Sequence, residues 1–173
     1  MRGLLMVGNM PLKHGILVRS QAPQLVWYNE QMKKEKIVLM VLRWAMGFIF
    51  LWAFLDKVFG LGFATTAEKA WIHGGSPTYG FLAFATKGPL VGFFHSLAGV
   101  AMVDWLFMLG LLFIGLTLIF NKFVKWGCLA GCLLLFSMYL SLLWPENNPI
   151  IDEHIVYILV LAFIALVSKE NNL

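Results

Sequence analysis

The chain of 173 residues is 60% hydrophobic and 13% charged, with a mean hydropathy of +0.80. These values exclude an ordinary water-soluble domain, and the length leaves no room for a second folded domain beside a set of membrane helices. The formal charge of +4 does not indicate nucleic acid, because six of the thirteen basic residues, Arg2, Lys13, Arg19, Lys33, Lys34 and Lys36, precede the first long apolar run. There they read as a topology signal against anionic lipid.

Residues 1–36 hold two apolar patches, Leu17-Val18 and Leu25 to Tyr28, separated by Gln21-Ala22-Pro23 and without a period. They are assigned no fold and are expected to form a cytoplasmic tail. The apolar run Gly3 to Gly8 is too short for a signal peptide, so the first span is expected to serve as an uncleaved insertion signal. Four long apolar runs follow, Ile37 to Phe59, Val103 to Phe120, Phe123 to Trp144 and Ile150 to Ser168. Each is near the ~20 residues that cross ~30 Å of hydrocarbon. The expected fold is therefore an all-α integral membrane protein, a bundle of four transmembrane helices over residues 37–168, with 169–173 as a cytoplasmic C-terminus. The basic N-terminal segment and the turn with Lys122 and Lys125 put both termini of this multi-pass protein on the cytoplasmic side of the cell membrane.

Between the first two spans lies a long outer segment. Thr65-Thr66-Ala67-Glu68 fits a capping box that would start a short helix, and Gly74-Gly75-Ser76-Pro77 would end it. After Gly88-Pro89, the residues Leu90, Phe93, Phe94, Leu97, Val100 and Ala101 recur at helical spacing. They form either a separate interfacial helix or the start of one long bent second span. Trp71, Phe81 and Phe84 are expected to anchor the segment at headgroup depth.

Chemistry is sought among polar residues at membrane depth, which are costly to insert. Arg43 lies two turns inside the first span on the side of Gly47, Phe50 and Phe54, and either faces a cavity or snorkels to headgroups. Asp56 and Lys57 end that span, Asp104 opens the second, and Asp152, Glu153 and His154 open the fourth, so all are expected to converge at the outer face. Asn148 and Pro149 suit the N-cap and first position of the fourth helix. Capping does not account for His154, whose ordinary pKa suits proton transfer. The candidate catalytic residues are thus Asp152, His154 and Asp104, with Arg43, Asp56 and Lys57 as candidates for substrate binding. His73, His95 and His154 have no metal-ligand spacing, and no protein-bound metal is expected. Cys128 and Cys132, with Gly127 and Gly131, form overlapping small-xxx-small pairs and read as packing residues, not as a redox dithiol. No GxGxxG, P-loop or CxxC motif is present, so a redox role would need a membrane-soluble partner such as quinone, or another subunit.

The run Leu42-Arg43-Trp44-x-x-Gly47-x-x-Phe50-Leu51 with Lys57, the stretch Gly110 to Ile119, and Asn148-Pro149-x-x-Asp152-Glu153-His154 resemble the DoxX/DoxD family of small four-helix membrane proteins over about Val41 to Val167. The resemblance implies a membrane subunit of a quinone-linked oxidoreductase, of the thiosulfate:quinone oxidoreductase kind, with a small anionic sulfur substrate and neighbouring subunits as partners. The other role open to the family is that of a non-catalytic accessory or assembly subunit of a larger respiratory or photosynthetic complex. Family members often carry a glutamate after the glycine of the second helix. Here that place is Leu111, and Asp104 is the nearest carboxylate.

Overall fold

The computed structural model describes residues 15–145, 148 and 150–168, and every regular element among them is helical. The elements are α1 (Gly15–Phe59), α2 (Val91–Ser96), α3 (Ala101–Phe120), α4 (Val124–Ser141) and α5 (Glu153–Val167). Three short turns, Ala67–Lys69, Trp71–His73 and Phe81–Ala85, lie between α1 and α2. The chain divides into two compact units, Met1–Met40 and Val41–Leu173.

In the first unit the described residues, which the sequence left without an assigned fold, belong to one helix, although Pro23 lies within it. Sequence periodicity missed this helix because residues 26–30 and 33–38 are all exposed, and a helix with no buried face presents no apolar stripe to read. A Lys33–Glu30 pair at 3.2 Å, one turn apart, is its visible support.

Among the described residues three helices are long and apolar enough to cross a membrane, over Val26–Phe59, Ala101–Phe120 and Val124–Ser141. The first of these windows begins upstream of the expected Ile37. At 15 residues α5 is shorter than the expected Ile150–Ser168 and rises only about 22 Å. Its start is displaced because Asn148 does not cap it. The Asn148 side chain accepts from Ile150 N and Ile151 N, both at 3.0 Å, in a local turn. Asp152, in extended backbone, is the cap instead, accepting from Ile155 N at 3.1 Å. Pro149 lies outside the described residues.

Small residues set how closely the helices approach. A Cβ on Gly47 of α1 would stand 2.9 Å from Ile119, and one on Gly115 of α3 would stand 2.9 Å from Leu51. On α4, a Cβ at Gly127 would meet the Thr117 hydroxyl of α3, and one at Gly131 would meet Leu161 of α5 at 2.6 Å. In lipid such contacts matter more than burial, because the tails outside are as apolar as the side chains inside. The core they enclose is Met108, Ile114, Leu118, Leu161 and Ile164, while Phe48, Leu106 and Leu166 face outward as lipid-contacting groups would.

The segment between α1 and α3 differs in detail from the expected capped helix. Thr66 is the N-cap, yet no side chain caps the turn. With Thr66 in that place the third helical position is Lys69, which cannot reproduce the reciprocal glutamate of a capping box. Gly74, at φ 87, closes the second turn as anticipated. Leu97 to Val100, with Gly99 at φ +80, separates α2 from α3, so α2 is an independent short helix and not the start of a bent span.

Candidate functional site

At the C-terminal end of α1, Gly60 turns the chain at φ 63 and sends it back over the helix end. Asp56 is only 2% exposed and its carboxylate accepts from Phe63 N at 3.2 Å and Ala64 N at 3.0 Å. It therefore ties the returning loop to α1. The next residue, Lys57, points the other way, donating to the Pro77 carbonyl at 3.2 Å and lying 5.8 Å from the Phe107 ring centroid.

Asp104 opens α3 and is buried. One of its oxygens accepts from Ser76 Oγ at 2.9 Å, Thr78 N at 3.2 Å and Thr78 Oγ1 at 2.5 Å. Asp56, Lys57 and Asp104 thus each bond to the segment 63–78. Ser76 and Thr78 escaped sequence reasoning, because Gly74-Gly75-Ser76-Pro77 read only as a stop signal. Leu111 is core.

Two cavities lie here, and the Phe81–Ala85 turn contributes to the lining of both. One, of about 390 Å³, is lined almost wholly by apolar side chains, with Lys57, Thr78, Ser137 and Ser141 on its wall. The other, of about 490 Å³, has a mixed lining that includes Lys87, Asn148, Asp152 and Glu153 beside Phe84, Leu142 and Trp144. Asp152 and His154 are each 9% exposed in their side chains, and His154 Nδ1 lies 2.7 Å from Asp152 Oδ2. Burial raises the Asp152 carboxyl, but the hydrogen bonds from His154 and Ile155 N outweigh it and hold the group below its ordinary value of 3.8. The carboxylate accepts only, so Nδ1 carries the proton of this bond.

Asp152, Glu153 and His154 each offer one ligand atom, all within 4.8 Å of one another. They are the described residues able to hold a metal, a grouping the sequence left aside because it lacks the usual histidine spacing. His73 Nδ1 instead bonds to the Ala67 carbonyl at 3.0 Å, and His95 is exposed on α2.

Arg43 stands apart from these groups. It is 14 residues from Lys57 on the same helix, about 21 Å along the axis. Its guanidinium donates to the Asn121 side chain, at the left-handed turn between α3 and α4, and its Nε is buried without a partner. Cys128 is buried and Cys132 donates weakly to the Ile158 carbonyl at 3.8 Å; both are free thiols in the α4 packing surface.

These features define an all-helical membrane protein with a polar cluster at one end of its helices. No family model matches the chain, and neither a curated protein nor a solved structure does.

Proposed function

We propose that this protein is the membrane subunit of a quinone-linked oxidoreductase, with α5 completing a four-helix DoxX/DoxD-like bundle and both termini cytoplasmic. Quinone reduction consumes two electrons and two protons. The observation that supports this reading is the largely buried Asp152–His154 pair, in which the imidazole is hydrogen-bonded to a carboxylate that lines a cavity of about 490 Å³. His154 passes the protons, and Asp152 orients and stabilises its cationic form. The electrons come from a small reductant at the outer face, thiosulfate being the class the family resemblance favours, with neighbouring subunits as partners.

The test is thiosulfate-dependent reduction of a soluble quinone by the purified protein with any co-purifying partner. Asp152→Asn and His154→Gln are expected to insert normally and to lower turnover by roughly 10²-fold or more. Full turnover in both variants contradicts the proposal.

A specific observation favours the second reading, an accessory subunit of a larger respiratory or photosynthetic complex. Asp56 and Asp104 are consumed as acceptors for loop N–H and hydroxyl groups, which is a structural duty. Stable co-purification with large redox subunits, with activity indifferent to Asp152→Asn, supports that reading.

A further inference from the structure

The 390 Å³ cavity has a charge pattern that the redox reading does not use. Lys57 is the one charged residue on its wall. An ammonium has three donors, and Lys57 spends one on the Pro77 carbonyl. Asp56 attracts Lys57 through space, but its oxygens accept from Phe63 N and Ala64 N, and Asp104 accepts from Ser76 and Thr78. Among the described residues no carboxylate forms an ion pair with Lys57.

The rest of the wall behaves as hydrocarbon. Ser137 and Ser141 donate to the carbonyls of Leu134 and Met138 in their own helix, and Phe81, Phe94, Leu97 and Phe107 supply most of the surface. Phe93 and Ser137 on that wall are exposed, on surface that belongs to lipid-facing helices. The volume is within the ~300–1,000 Å³ of ordinary ligand sites.

We infer that this cavity is a binding site for a single-chain carboxylate amphiphile, a long-chain fatty acid taken from the bilayer, with its headgroup paired to Lys57 and its chain among the aromatic residues. The anionic head follows from the cation. Asp56 attracts the ammonium through space without bonding to it, so a carboxylate head adds the charge-assisted hydrogen bond that a neutral carbonyl or hydroxyl head makes more weakly. The inference is independent of the Asp152–His154 chemistry.

Oleate labelled with ¹³C at its carboxyl, titrated into the detergent-purified protein and followed by NMR, tests it. Oleyl alcohol and a short-tailed quinone are the competitors. Oleate is expected to bind saturably, with a carboxylate shift, and oleyl alcohol to compete at about tenfold lower affinity or worse. Lys57→Gln should weaken oleate about tenfold or more. Lys57→Arg, which keeps the charge, should retain most of the affinity and shows that the site still folds. Ser137→Trp, which fills the exposed wall, should block oleate while leaving Lys57 in place. Equal affinity for oleate and oleyl alcohol overturns the inference, as does unchanged oleate affinity in Lys57→Gln or displacement of oleate by the quinone at equal concentration. Any of these results with quinone turnover intact leaves the proposed function standing.

Discussion

Asp56 and Asp152 both sit at helix ends, yet their partners give them different duties. Asp56 holds two loop N–H groups at the end of α1, so Asp56→Ala leaves both without their acceptor. Hydrogen bonds to a buried charged group contribute about 1.5–3 kcal/mol each, so a loss of roughly 3 kcal/mol is expected, measured as a lowered thermal midpoint in detergent. Asp56→Asn keeps an acceptor oxygen and should lose less than half as much. Asp152 is engaged by the His154 side chain as well as by Ile155 N, and its carboxyl is held below its ordinary value. The stability this contributes is complete above the unfolded value of 3.8 and disappears as pH falls through the lower folded value. Unfolding followed from pH 6 down to pH 2 should therefore show an acid-induced loss in the wild type that is smaller in Asp152→Asn. Parallel pH profiles would mean that the His154 contact does not hold the carboxylate ionised.

Between elements, the decisive positions are those without side-chain bulk. Gly127 and Gly131 face Thr117 and Leu161, so Gly131→Leu is expected to force α4 and α5 apart, costing about 3 kcal/mol or more as overpacking does. The combined Cys128→Ala and Cys132→Ala variant removes little volume and no redox couple. It should assemble with a loss of about 2 kcal/mol or less and should keep any electron-transfer activity. Loss of that activity in an assembled double variant would restore a redox role for the pair. The α4 stripe was legible because its small residues fall four apart. The equally close contact between Gly47 and Gly115 was not, since its two members lie on different helices and neither belongs to a local pair. Helix ends were the least legible feature. Asn148 and Pro149 carry a good cap signature, but Asn148 satisfies Ile150 N and Ile151 N in a turn of its own, and Asp152 takes the helix.

For the whole molecule, the apolar spans over α3 and α4 were readable to within a few residues because run length alone reports them. The helix upstream of Ile37 was hidden, since residues 26–36, the part of it whose side chains are described, include no buried position to impose a period. The polar cluster was readable as a set of residues and not as an arrangement. Asp56, Lys57 and Asp104 share one loop and Asp152 pairs with His154, but Arg43 is bound to Asn121, about 21 Å along α1 from Lys57. That separation follows from helical rise, yet no sequence signal tied Arg43 to a turn 78 residues away. The central claim is that α1, α3 and α4 cross the membrane, with the loop that holds Asp56 and Asp104 on one side and the α3–α4 turn on the other. Single-cysteine labelling with an impermeant reagent tests it directly, using Glu68→Cys and Lys122→Cys, both at exposed positions, in the background lacking Cys128 and Cys132. Glu68→Cys is expected to react on intact cells and Lys122→Cys only after permeabilisation. Reaction of both from the same side would contradict the account.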